Sequence, residues 1–221
     1  MSLRTVHCAD ALEWLREFQK AQVVSCVASL PDRSEFPESS LAQWKSWFTE
    51  TAALVMSSAS DEGVSVFFQS DIKVDGEWID KGYLCQRAAE SLGMATLFHK
   101  VVARAPLGTA TFGRPSYSHL LAFSKSLRLR DLSGSTADIL ADNGERTWVR
   151  GMGLKTCLAV GTFLKRETKT QLVLNPFCGE GSMLAAANHL GFDAIGIEKS
   201  AKRARRAQTT SLNDDASAWL L

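Results

Sequence analysis

The sequence predicts an α/β fold: a doubly wound, mostly parallel sheet with an antiparallel hairpin at one edge. Three observations carry this. The runs VVSCVAS (23–29), GVSVFFQ (63–69) and QLVLN (171–175) are short and apolar, as strands buried on both faces by helices must be. The segments between them place apolar side chains at helical spacing. Strand and helix alternate, and that order favours parallel pairing through helical crossovers.

Residues 5–8 form a short apolar-alternating strand, and DALEWLREFQK follows with Leu12, Leu15 and Phe18 on one helical face. Asp10 with Glu13 three residues on makes an N-cap and capping-box pattern for that helix. After the strand 23–29 comes a loop rich in Pro, Ser and Glu, then a helix over 41–57 that buries Trp44, Trp47 and Phe48. Strand 63–69 leads through the turn-like KVDGEW to a helix over 79–91. Two strand-like runs, 95–104 and 117–123, flank a connection containing Pro106, Gly108, Gly113 and Pro115, and pair as the antiparallel edge hairpin. Residues 126–146 are mixed in charge with Gly and Ser, and are expected to form a mobile insertion able to touch substrate. A helix over 152–165, the strand 171–175, a helix over 182–190, the strand 193–198 and a basic helix over 200–210 complete the pattern.

The chain has 221 residues, 45% hydrophobic and 22% charged, which fits one domain spanning 1–221 and excludes a disordered chain. A domain of this size buries about 70% of its unfolded surface and needs no staples. Five scattered cysteines, Cys8, Cys26, Cys85, Cys157 and Cys178, have no C-x-x-C pair, which argues against a disulfide scaffold or structural zinc. Four widely separated histidines likewise suggest no metal. Without a spanning apolar run or a signal-like N-terminus, the sequence reads as that of a cytoplasmic protein with no membrane partner. Its 25 basic and 24 acidic side chains exclude a uniformly basic nucleic-acid binder. The balance is uneven, however: residues 1–100 carry 9 basic and 14 acidic groups, residues 101–221 carry 16 and 10.

The stretch LVLNPFCGEGSMLAAANHLGFDAIGIE carries the most chemical information. It sets a glycine turn, Gly179 and Gly181, between a buried strand and an Ala-rich helix, and puts Glu198 at the end of the next strand. Glycines let backbone approach a ligand closely, and a carboxylate there can accept two hydrogen bonds from ribose hydroxyls. Leu184 stands where a dinucleotide fingerprint has its third glycine, so a nucleoside cofactor is favoured over a pyrophosphate one, with a plain strand-to-helix turn as the alternative.

The residues NPFCGEG resemble the DPFCGSG-type motif that binds S-adenosylmethionine in amino-methyltransferases of DNA and RNA, and GIE at 196–198 resembles that family's second motif. The resemblance implies a Rossmann-like methyltransferase sheet in circularly permuted motif order, because the cofactor motif comes after residue 170. It implies that Asn175, Phe177, Cys178, Gly179, Gly181 and Glu198 hold the cofactor, and that Asp10, closing the first strand, reaches the adenine. The segment RGMGLKTCL is similar to the one flanking the methionine end. Ser29, Leu30, Pro31 and Asp32 fall where the family's catalytic motif is expected, with Ser29 and the Leu30 carbonyl accepting the target amine's N–H groups. Two positions depart from the pattern. Asn175 replaces the usual Asp, and Asp32 stands at the aromatic position that stacks on a base, a task Phe36 could take over.

Other features have plainer readings beside the functional ones. Cys178 lacks a base and fits a packed thiol, Gln69, Asp71 and Lys73 suit either a solvated turn or a substrate contact, and KSAKRARRAQ suits a solvated helix face. Arg128, Arg130, Arg146 and Arg150, near Trp148 and Tyr117, form a candidate nucleic-acid contact. The expectation is an S-adenosylmethionine-dependent methyltransferase for an amino group of a nucleic acid, RNA ahead of DNA. The alternatives are a small-molecule or protein methyltransferase, and a non-catalytic cofactor-binding module.

Overall fold

A computed structural model describes residues 2–131, 135–147 and 151–212. Strand β1 (Arg4–His7) leads into α1 (Ala11–Glu17), started by Asp10, whose Oδ1 accepts the amides of Leu12 at 2.9 Å and Glu13 at 3.3 Å. Such a cap contributes about 1 kcal/mol. Then follow β2 (Val24–Ala28), a 3-10 turn at Arg33–Glu35, and α2 (Leu41–Ser58), opened by a Ser40/Gln43 capping box. Strand β3 (Ser65–Gln69) precedes a small hairpin, β4 (Ile72–Val74) and β5 (Glu77–Ile79), in the segment read as a turn. Its loop residues Asp75 and Gly76 have φ 50° and 84°, as a two-residue hairpin loop of the primed type requires. Three-residue strands are too short to leave a periodic signal.

The chain continues through α3 (Lys81–Ser91), β6 (Ala95–Ala103), β7 (Tyr117–Ser124), β8 (Ile139–Leu140), α4 (Leu154–Glu167), β9 (Leu172–Pro176), α5 (Ser182–His189), β10 (Asp193–Ile197) and α6 (Ala201–Thr209). The main sheet has the order β1-β10-β9-β2-β3-β7-β6-β8. Strands β1, β10, β9, β2 and β3 are parallel, and β7 alone is antiparallel to its neighbours β3 and β6. The predicted hairpin is therefore present, but β8, from within the supposed insertion, pairs parallel with β6 and takes the edge. Lys100 ties that segment down by donating to the Thr136 and Ala137 carbonyls at 2.9 and 3.0 Å.

The sheet is buried on both faces. Alternation along β2 and β9 sends Val24, Cys26, Ala28, Leu172 and Leu174 into a core completed by α1, α2 and α3. It sends Val27 and Val173 into a second core under α4, α5 and α6. Each fully buried large side chain there, such as Trp44, Phe48 or Leu184, contributes about 1.5–3 kcal/mol of transfer free energy. The chain order reverses between β9 and β2: β9 continues through α5 to β10 on one side, and β2 through α2 to β3 on the other. Parallel sheets open their ligand crevice at the carboxyl ends of such a pair. Among the described residues no helix is long and apolar enough to cross a membrane.

Candidate active site

A cleft of about 380 Å³ lies at that crevice, within the range of small-ligand sites. Its floor is the turn after β9. Phe177 has φ 63° and Gly179 φ 57°, and a left-handed non-glycine residue is a strained feature that clusters at functional sites. The Cys178 amide donates to the Ile197 carbonyl at 2.9 Å, stitching the turn to β10. The Cys178 thiol packs against Gly196, whose missing Cβ would come within 2.8 Å of the sulfur, and burial, with Glu198 nearby, pushes it up to about 12. It is a packed thiol, and a nucleophile would need the reverse shift.

Glu198, 6% exposed, ends β10 at the cleft. Its Oε2 accepts the Gly179 amide at 3.1 Å. Its Oε1 accepts the Ser200 amide at 2.8 Å and Arg203 Nε at 3.0 Å. The basic helix α6 is thus more than a solvated face: Arg203 grips Glu198 and Arg206 pairs with Glu180 in the glycine turn. Asn175, 5% exposed, lines the cleft, and among the described residues its side-chain amide has no hydrogen-bond partner.

Ten of the eleven sequence-predicted site residues line this one cleft: Asp10, Ser29, Leu30, Pro31, Asp32, Asn175, Phe177, Cys178, Gly179 and Glu198. Gly181 does not. Its φ of 85° and the 2.7 Å that would separate an added Cβ from Ala207 Cα show that it is needed for the close packing of α6. Asp10 faces the cleft while its Oδ1 caps α1, and Lys199 stands 3.5 Å from its Oδ2. Gly151 and Met152, from RGMGLKTCL, line the cleft as well, next to Asn143, whose Oδ1 accepts the Gly153 amide at 2.9 Å.

The other end of the cleft lies beyond β2. Ser29 lines it, with no side-chain hydrogen bond among the described residues. Asp32, at the aromatic position, caps the 3-10 turn by accepting the Arg33 amide at 2.8 Å, and is flanked by Arg114 at 3.0 Å and Lys81 Nζ at 3.8 Å. The aromatic surface is nearby: Phe36 packs on Trp47 with ring centroids 4.3 Å apart, and both line the cleft.

Sequence reasoning missed Lys81, Arg104 and Arg114 here. They arrive from α3 and the β6–β7 connection, and no local motif announces them. Of the four-arginine cluster, Arg146 lines this cleft, whereas Arg128 and Arg130 lie in a separate depression with Arg166 and Lys169. Arg150 and Trp148 lie outside the described residues. The reason is topological: β7 runs antiparallel, so it delivers residues 126–130 to the opposite end of the sheet.

Behind the cleft, Asp71 is a buried acceptor. It takes the Lys81 amide at 2.8 Å, Trp78 Nε1 at 3.1 Å and His119 Nε2 at 2.9 Å, and His119 Nδ1 meets His99 Nε2 at 2.8 Å. Burial pushes the Asp71 carboxyl up, but the bonds from His119, Lys81 and Trp78 outweigh it and hold it below its ordinary value. Asp71, Asp80 and His119 could in principle gather a metal, yet Asp71 and His119 are already bonded to each other.

No protein-family model matches the sequence, and no curated protein is significantly similar to it. Solved structures do match. The fold, a mostly parallel sheet with β9 and β10 placed between β1 and β2, is shared with solved structures of DNA methyltransferases. The PvuII DNA methyltransferase (cytosine-N4-specific) superposes with a TM-score of 0.75 at 14% identity, covering 99% of this chain and 90% of that one. A candidate DNA modification methylase of Thermus thermophilus, complexed with S-adenosyl-L-methionine, gives 0.70 at 19% identity, covering 99% and 95%. The complex of M1.HpyAVI with SAM gives 0.65 at 18% identity, covering 93% and 98%. At these identities the likeness establishes the fold.

Proposed function

We propose that the protein is an S-adenosylmethionine-dependent methyltransferase acting on an exocyclic amino group of a nucleic acid, and that the nucleic acid is DNA. The observation that carries this is convergence: the turn after β9, Glu198 directly after β10 and Ser29–Leu30–Pro31 after β2 meet in one cleft at the reversal point of the sheet. Two of the compared structures contain S-adenosylmethionine. The preference for RNA finds no support, since the compared proteins named for a substrate are named for DNA.

The residues fit that cofactor. Asn175 lines the cleft with a polar side chain, and Glu198 Oε2 accepts one bond there, which leaves it room for another. When bound, S-adenosylmethionine supplies an electrophilic methyl group on a sulfonium. The Glu198 carboxylate would hold a ribose hydroxyl through Oε2, with Arg203 fixing its orientation through Oε1. Asn175 and Phe177 would border the methionine and adenosyl portions, and Asp10 the adenine, since all three line the cleft.

The acceptor amine shares its lone pair with the ring, so it is a poor nucleophile until held out of conjugation. Ser29 Oγ and the Leu30 carbonyl accept its N–H groups and aim the lone pair, while Pro31 stiffens the turn that carries both. Alignment of this kind can supply several kcal/mol of the barrier. The Phe36–Trp47 pair provides the apolar wall against which a base can lie, in place of the aromatic residue that Asp32 replaces.

Incubation with methyl-labelled S-adenosylmethionine and separate pools of DNA, RNA, protein and metabolites tests the reading. Label is expected in DNA, in an acid-stable methylamino base. Label confined to metabolites or protein would overturn the nucleic-acid assignment.

A further inference from the structure

The acceptor end of the cleft is lined by Lys81, Arg104, Arg114 and Arg146 against two carboxylates, Asp32 and Glu35. Lys81 is 3% exposed, and its ammonium has one ion-pair partner among the described residues, Asp32 at 3.8 Å. Arg114 shares that carboxylate at 3.0 Å. Arg104 extends from the end of β6, and its side chain bonds only a neutral group, donating from a guanidinium nitrogen to Ser70 Oγ at 3.0 Å. Glu35 also lines the cleft, its Oε1 accepting the Asp32 amide at 3.2 Å, and Asp71, outside the lining, is a buried acceptor already engaged by His119, Trp78 and the Lys81 amide. Two cations therefore share Asp32, and Arg104 has no carboxylate partner among the described residues. Burial pushes Lys81 and Arg104 below their ordinary values, with Arg114 adding repulsion to both.

A second observation points the same way. Gln69 is 1% exposed at the end of β3 and lines the same cleft, and its Nε2 is buried with no hydrogen-bond partner. An orphaned buried donor costs about 1–3 kcal/mol. Excess cations beside an unused N–H donor call for an anionic acceptor group from outside the chain. Phosphate meets that need, because its oxygens take bidentate bonds from guanidinium and single bonds from ammonium and amide.

We propose that Arg104, Lys81 and Gln69 form a phosphate-binding subsite that holds a phosphate of the nucleotide whose amine enters the cleft. This rests on the reading of the acceptor as a nucleotide. It makes the subsite a specificity determinant: the base is placed by its phosphate as well as by Ser29. The phosphate can belong to a free mononucleotide or to a DNA strand, and experiment separates the two.

The full chain would be titrated with sodium pyrophosphate, a deoxynucleoside, its 5′-monophosphate and a single-stranded oligodeoxynucleotide. The wild type is expected to bind the monophosphate at least tenfold more tightly than the nucleoside, with pyrophosphate competing. In Arg104→Gln that advantage should fall below about threefold, and Arg104→Lys should recover part of it. Binding of S-adenosylmethionine, measured by calorimetry, reports whether the variants remain folded. If Arg104→Gln does not fold, the wild-type comparison decides alone. Equal binding of nucleoside and monophosphate, or no competition by pyrophosphate, overturns the proposal. A phosphate advantage without oligonucleotide binding keeps the subsite, assigns it to mononucleotides and removes the DNA reading. Oligonucleotide methylation that proceeds equally in wild type and Arg104→Gln keeps the DNA reading and removes the subsite.

Discussion

Asp32 and Arg114, 82 residues apart in sequence, meet at 3.0 Å across the mouth of the cleft. The contact fastens the long β6–β7 connection to the loop after β2, so the acceptor end is built from two distant segments. Lys81, on the other side of Asp32, is buried and depends on the same carboxylate.

Replacing Asp32 by Ala should accordingly do two things. It leaves the Lys81 ammonium without its nearest countercharge, and removing one partner of a buried pair costs about 3 kcal/mol. It also releases Arg114 and the connection that carries it. Thermal unfolding should show a loss of roughly 10 °C, on a scale of about 2–4 °C per kcal/mol for a chain of this size. Methyl transfer should fall at least tenfold, while calorimetry should find cofactor affinity within about twofold of wild type.

Gly181→Ala should damage the fold. An alanine Cβ would stand 2.7 Å from Ala207 Cα at φ 85°, so left-handed strain of about 1 kcal/mol adds to overpacking of about 1–3 kcal/mol. Denaturant titration should show a loss of about 2–4 kcal/mol. A variant as stable as wild type would show that α6 is not held as described.

Stability should decline in acid in two stages. Burial, reinforced by His119, depresses the His99 imidazole below its ordinary value, so the unfolded chain binds that proton more readily. The stability tied to neutral His99 is present above about pH 6.5 and is lost as pH falls through its lower folded value. Asp71 is also depressed, so its contribution is present above about pH 4 and lost below. Asp71→Asn should remove the lower stage and destabilise at neutral pH by about 2 kcal/mol or more, since charged hydrogen bonds are worth about 1.5–3 kcal/mol each. Unfolding measured from pH 3 to 8 checks both stages.

Native thiol titration should label one of the five cysteines quickly. Cys8 is exposed, whereas Cys26, Cys85, Cys157 and Cys178 are buried. Burial pushes Cys26 and Cys178 up to about 12, which leaves almost no thiolate at pH 8. Rapid labelling of Cys178 would contradict the closed turn after β9.

The sheet and its helices were legible because buried parallel strands leave unbroken apolar runs such as 63–69 and 171–175. The glycine turn after β9 was legible because its parts lie within one strand–helix–strand unit. The acceptor end was only half legible. Ser29 and Asp32 follow a readable strand, but Lys81, Arg104 and Arg114 come from α3 and the β6–β7 connection, which topology alone brings to that end. Gly181 lies outside the cleft lining and packs against α6, as glycine serves close helix packing as readily as ligand approach. Arg128 and Arg130 misled because sequence proximity to Arg146 ignores the reversed strand β7, after which the chain must cross the sheet again through β8 before reaching the cleft.

The central claim is that the cleft between the turn after β9 and Glu198 binds S-adenosylmethionine. Calorimetric titration of the full chain with S-adenosylmethionine and with its demethylated product tests it most directly. Saturable one-site binding at micromolar concentrations is expected, weakened at least tenfold by Glu198→Ala and by Asn175→Ala in folded protein. Absence of binding of either compound to folded wild-type protein at millimolar concentration would contradict the account.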